Sequence, residues 1–297
     1  GRMIPEALEA KIAEARAAGA RPFFVNATAG TTVAGAFDPI DALADIAERE
    51  ELWLHVDGCY GGTALFSERH RHLLEGAHRA RSFARNPHKM MGMTQQCAVL
   101  LMRAPEILAP AFGGSASYIF QEDKNDADMD LGALTLQCGR RADGVKLWLT
   151  WKARGEAWFG DRLEHAVRLA ERLEARIRGD ARFALAFPRT FANVGFWWVP
   201  PDMRPLDPER PLDAAAWHRL HALAPRIKDA LQREGSALLG YQPLDDRPNF
   251  FRLLVMSPDV TFEDIEATLE TLDRLGRAVE AGATASSWLD ACCPSGA

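Results

Sequence analysis

The chain has 297 residues, a formal net charge of -6 and 47% hydrophobic residues, which suits a globular protein of one or two domains with a full core. Its basic residues are scattered over an acidic balance, so there is no electrostatic footprint for nucleic acid, and no apolar run approaches the roughly 18 residues that read as a membrane span. The five cysteines, Cys59, Cys97, Cys138, Cys292 and Cys293, form no framework of a small secreted fold. With no hydrophobic leader after Gly1, thiols in a reducing cytoplasm are the expectation.

In chain order, Pro5 to Ala18 reads as a helix with Leu8, Ile12 and Ala15 on one face, ended by Gly19. Pro22 to Ala27 reads as a buried strand of the parallel type, and Thr28 to Thr32 as the loop at its end. Asp38-Pro39 opens a helix whose buried stripe is Ile40, Leu43, Ile46 and Ala47. Leu52 to Val56 reads as a second buried strand, with Asp57 at its C-terminal edge before a loop carrying Gly58, Gly61 and Gly62. This alternation predicts an α/β sheet with right-handed crossovers, whose ligands bind at the carboxyl edge of the strands. His70, His72 and His78 lie near Cys59, but among Glu68, Arg69 and Arg71 they read as a solvated helix face and not as zinc ligands.

The stretch from Ser82 to Gly92 carries the chemistry. Asn86-Pro87 turns the chain, and Lys89 follows the bend under apolar cover from Met90 and Met91. Such cover disfavours an ammonium, and the neutral amine is the form that condenses with an aldehyde. His88 is suited to lie against a planar ring or to relay a proton. Alone, Asn-Pro-His-Lys is an ordinary polar turn and Asp57 a helix cap. Together, a lysine and a carboxylate one crossover apart are the two groups that a pyridoxal phosphate site needs.

Further on, Cys97 to Met102 reads as a strand, followed by a loop from Phe112 to Gly132. Asp126, Asp128 and Asp130 alternate there, but Leu131 and Gln137 stand where a calcium loop needs glycine and glutamate. Arg162 to Arg178 is an amphipathic helix with Leu163, Val167, Ala170, Leu173 and Ile177 inward. Val194 to Val199 is an aromatic strand, His218 to Glu234 a helix, Phe250 to Met256 a strand, and Thr261 a helix cap ahead of Ile265, Leu269, Leu272 and Leu275. The expected domains are 1–155, carrying the site, and a smaller α+β domain over 156–281. The small-residue tail 282–297 is expected to be disordered.

Ala27-Thr28-Ala29-Gly30-Thr31-Thr32-Val33, Gly35-Ala36-Phe37-Asp38-Pro39, His55-Val56-Asp57 and Asn86-Pro87-His88-Lys89-Met90-Met91-Gly92 follow one another in an order that resembles the group II pyridoxal-phosphate amino-acid decarboxylases. Gln137-Cys138-Gly139-Arg140, Asn193 to Pro201, Gly240-Tyr241-Gln242-Pro243 and Asn249-Phe250-Phe251-Arg252 extend the resemblance to about Val279, closest to the glutamate, cysteine-sulfinate and aspartate decarboxylase branch. It implies a fold-type I large domain with a partial, mostly parallel sheet, and a homodimer that acts on amino acids without metal, nucleic acid or membrane. It implies decarboxylation of an acidic amino acid (aspartate, cysteine sulfinate or glutamate) through a Schiff base on Lys89. Asp57 would face the ring nitrogen, His88 and Thr28 the ring, and Ser82 the phosphate. Cys59 would stand beside the ring, and Arg252 would pair with the substrate α-carboxylate.

Against the family pattern, the large domain starts part-built, without the upstream serine-rich phosphate loop and the ring-stacking histidine. Asp123-Lys124 is followed by no loop tyrosine to serve as proton donor. A decarboxylase for 2,4-diaminobutyrate or an aromatic amino acid, and an inactive fragment, are the alternative readings.

Overall fold

The computed structural model describes residues 1–112, 125, 131–137 and 141–282. Helix α1 (Pro5–Ala17) leads into strand β1 (Phe24–Thr28), helix α2 (Ile40–Arg49), strand β2 (Trp53–Asp57), strand β3 (Ser82–Arg85) and strand β4 (Val99–Met102). These strands form a four-stranded sheet in the order β1-β2-β3-β4. The first three are parallel and β4 is antiparallel to β3. In α2 the apolar stripe is buried as its spacing predicts, with Ala44 added. In α1 only Ile12 is buried.

The first strands were expected to be buried on both faces. Instead β1 and β2 alternate between buried and more exposed positions. Val25, Ala27, Leu54, Val56 and Phe83 face the core with the stripe of α2. Phe24, Asn26, Thr28, Trp53, His55 and Asp57 project to the other side, because successive side chains of a strand point oppositely. That face is open enough to leave Phe24 48% exposed. Between β2 and β3 the chain forms short 3-10 turns and no regular helix. His72 and His78 are exposed there, but His70 is not solvated. It is 3.0 Å from Glu164 and 3.1 Å from the Ser67 hydroxyl.

Helix α3 (Leu108–Phe112), helix α4 (Asp143–Arg154) and helix α5 (Ala157–Arg178) follow, and then a second four-stranded sheet. It is built of β5 (Phe183–Leu185), β6 (Val194–Trp198), β7 (Gly240–Leu244) and β8 (Arg247–Leu253), antiparallel throughout in the order β5-β6-β8-β7. Helix α6 (Ala214–Glu234) and helix α7 (Phe262–Glu280) cover one side of it. Thr261 caps α7 with a reciprocal bond to Asp264, as its spacing predicts. Gly276 lets α7 approach the indole of Trp198 so closely that a Cβ would overlap the ring.

Helix α5 belongs to both cores. Leu163, Ala166 and Val167 pack with the first sheet, whereas Leu169, Ala170, Leu173 and Ile177 pack with the second. The expected loop over most of 112–132, with Asp123, Lys124 and the alternating aspartates, lies outside the described residues. So do Cys138 and almost all of the tail 282–297. Among the described residues no helix is long and apolar enough to cross a membrane.

Candidate active site

The parallel strands β1, β2 and β3 end side by side, with Thr28 opposite Asp57 and Asp57 opposite Ala84. Thr28 is held there by Asp38. The Thr28 amide donates to Asp38 Oδ2 at 2.7 Å, and the Asp38 amide donates to the Thr28 carbonyl at 2.9 Å. Asp38 is buried and also accepts from the Met3 amide. It therefore fixes the strand end in addition to preceding α2.

Asp57 makes a tight side-chain turn in which the Cys59 amide donates to Oδ1 at 3.0 Å. The Cys59 thiol is pushed up to about 11, by burial first and then by its hydrogen bond to Asp57 and the charge of that carboxylate, while the charge of Lys89 pulls it down.

Lys89 is presented by a turn closed by its own amide on the Asn86 carbonyl at 2.9 Å and by the Met93 amide on the Pro87 carbonyl at 3.1 Å. Met90 and Met91 are buried beneath it. Gly92 has a φ of 72°, and its missing side chain leaves room for the Arg162 guanidinium. Arg162 donates to the Met256 carbonyl at 2.8 Å and lies over Trp158 at 4.8 Å. The Lys89 amine makes no hydrogen bond or ion pair with any of the described residues. His88 is oriented by the backbone of Cys97, with Nδ1 2.7 Å from the carbonyl and 3.1 Å from the amide.

Ser82 lies back from the Asp57–Ala84 level. It starts β3 level with His55, two residues before Ala84, and a strand advances about 3.3 Å per residue, so it sits roughly 7 Å behind. Its hydroxyl is occupied by the Trp53 indole N–H at 2.8 Å and by His55 Nδ1 at 2.7 Å. Burial lowers the pKa of His55, with the charge of Asp57 opposing.

Arg252, on β8, reaches across from the second sheet and donates from Nη1 to the Thr32 carbonyl. Its Nε is buried without a partner. Tyr60, next to Cys59, is buried, and its hydroxyl donates to Asn193 Oδ1 at 2.5 Å. Burial raises the Tyr60 pKa, with Arg252 pulling it down.

Asp38, Tyr60, Asn193 and Arg85 are site neighbours that the motifs did not single out as functional. Arg85 ends β3, stacks 4.4 Å over Phe66 and leaves Nε and Nη2 buried without partners. Burial pushes its pKa down to about 10. An open cavity of about 620 Å3 adjoins the edge on the β4 side, lined in part by Ala84, Asn86, Val99 and Leu100.

The pyridoxal-dependent decarboxylase conserved domain matches residues 1–199. The chain is 46% identical over 279 residues to the acidic amino acid decarboxylase GADL1 of Bos taurus, covering 93% of this chain and 53% of that protein. It is 45% identical over 280 residues to the cysteine sulfinic acid decarboxylase of Homo sapiens, covering 93% and 56%. The crystal structure of mouse CSAD in apo form superposes with a TM-score of 0.85 at 42% identity, over 93% of this chain and 56% of that one. The chain therefore spans about half the length of the curated relatives it matches.

Proposed function

The chain belongs to the pyridoxal-dependent decarboxylase family with a fold-type I architecture, and from that premise we propose that it takes part in removing the α-carboxylate of an acidic amino acid, with pyridoxal phosphate held at the edge formed by Thr28, Asp57, Cys59, His88 and Lys89. One observation carries this reading: Thr28, Asp57 and Ala84 end adjacent parallel strands side by side, and the turn that follows β3 presents Lys89, which makes no ion pair with Asp57. An amine and a carboxylate are the groups that suit a planar cofactor with an electrophile at one end and a basic nitrogen at the other. That donor set fits the cofactor.

When bound, pyridoxal phosphate supplies an aldehyde for an amine and a ring that accepts the electrons of the breaking carbon–carbon bond. The protein does the rest. Asp57, held by the Cys59 amide, keeps a proton on a ring nitrogen because an adjacent anion favours the charged form. The Lys89 amine, which has no hydrogen bond or ion pair among the described residues, would hold the aldehyde. His88, clamped at Nδ1 by Cys97, offers Nε2 to hold or move a proton. Arg252 grips the substrate α-carboxylate through the fork of its guanidinium.

The likeness to two decarboxylases of acidic amino acids supports aspartate, cysteine sulfinate or glutamate as substrate. A homodimer is supported by exposed apolar side chains such as Phe23, Leu101, Trp148 and Leu149. A cytoplasmic location is supported by the scattered thiols.

Incubation with pyridoxal phosphate, borohydride reduction and peptide mass mapping test the proposal. The expected adduct is on Lys89 and is absent in Lys89→Ala. Adducts scattered over other lysines, or none, would overturn it.

A further inference from the structure

We infer that Asn193 is a positioning residue that sets the guanidinium of Arg252, by holding the one carbonyl oxygen to which that guanidinium is tied. The inference rests on the proposed role of Arg252 and deepens it.

Asn193 is 0% exposed, and both of its amide N–H groups are used. Nδ2 donates to the Thr32 carbonyl at 3.0 Å and to the Val33 carbonyl at 2.9 Å, while Oδ1 accepts from Tyr60. Arg252 Nη1 donates to the same Thr32 oxygen, so both lone pairs of that oxygen are used. Asn193 directly precedes β6, in which Gly195 lies opposite Arg252 of β8. The amide and the guanidinium therefore come from neighbouring strands and meet on one atom of the loop after β1.

The loop itself is preformed. Its backbone closes through Thr31 to Ala36 at 2.8 Å and Gly35 to Thr31 at 2.9 Å. Gly35, at a φ of 68°, lets it press against the Asn193 side chain. The guanidinium is left with a buried Nε that has no partner, so the Thr32 tether is what fixes its direction. Tyr60 adds the loop after β2 to the same amide. Thus three separate segments, carrying Thr28, Cys59 and Arg252, are registered on Asn193. An aspartate at this position would keep the shape but turn a carboxylate oxygen toward two carbonyls, and would attract Arg252 to itself.

The test compares wild type, Asn193→Asp, Asn193→Ala, Tyr60→Phe and Arg252→Ala. Binding of L-aspartate and of β-alanine, which differ by the α-carboxylate, is titrated by the absorbance of the cofactor-loaded chain. Amide exchange of residues 30–36 is followed without cofactor. Asn193→Asp should weaken L-aspartate at least tenfold more than β-alanine, as Arg252→Ala does, and should speed exchange over 30–36. Tyr60→Phe, which keeps both Nδ2 bonds, should give a smaller loss of the same selectivity.

Equal weakening of both ligands, or unchanged exchange over 30–36, would overturn the inference. If Arg252→Ala shows no selectivity while exchange over 30–36 does respond to Asn193, the role given to Arg252 fails, and the inference fails with it as a statement about substrate. Labelling of Lys89 reports on the cofactor site independently of either result.

Discussion

At the candidate edge, Cys59 is the residue whose protonation the structure constrains most directly. Its amide donates to Asp57, and burial first, then that carboxylate, moves the thiol pKa from 9.0 up to about 11. The native state therefore favours the protonated form. Between those values the unfolded chain gives up its proton first, so this contribution to stability is complete below pH 9.0 and is lost as pH rises toward 11. Only thiolate is alkylated. The rate of iodoacetamide modification of Cys59 in the cofactor-free chain should keep climbing to about pH 11. A plateau near pH 9 would show that neither burial nor the Asp57 carboxylate holds the thiol protonated. The placement of Asp57 at the end of β2 and of the Lys89 turn just beyond β3 was legible in the sequence, because the apolar runs before them mark the strands. For Ser82 the sequence did not show that its hydroxyl is bonded to the Trp53 indole and His55, since both partners come from β2, more than 25 residues earlier in the chain. Asn193 and Tyr60 lie 133 residues apart, and no local pattern joins a buried amide to a phenol at that separation.

At the scale of elements, the close contact between α7 and β6 sets two effects against each other. Replacing Gly276 by alanine in a helix interior should gain about 1 kcal/mol of intrinsic propensity. Yet its Cβ would overlap Trp198, which is buried and held by a 2.9 Å bond from its indole N–H to Asp273 Oδ1. Overpacking of this kind costs about 1–3 kcal/mol. Gly276→Ala is expected to lower the urea midpoint, and a higher midpoint would mean that Trp198 can yield. Elements with strong periodicity, such as α2, α5 and α7, were readable from their apolar stripes. The short strands β5 and β7 were not, since three residues carry no period and Pro243 inside β7 argues against a strand. The openness of one face of the first sheet was hidden as well. The runs Pro22 to Ala27 and Leu52 to Val56 are mostly apolar, so they read as buried on both sides even though only alternate positions are covered.

For the whole molecule, helix α5 decides how the two sheets relate. One side chain series closes the first core and the next closes the second, so loss of either sheet exposes part of a helix that the other needs. Urea unfolding followed by tryptophan fluorescence and by far-ultraviolet circular dichroism should give coincident transitions. Two separated midpoints would contradict the shared helix. The same arrangement has an outcome for the order of events at the ribosome. Val25, Leu54 and Phe83 emerge early, but the core they enter also contains Leu163, Val167, Phe191 and Ala192. At about 5–20 residues per second, the segment bearing Lys89 waits about 5 to 20 s, already synthesised, for the side chains that complete its foundation. During that interval the nascent first sheet is a client for chaperones, and slow codons placed before residue 192 would lengthen the exposure.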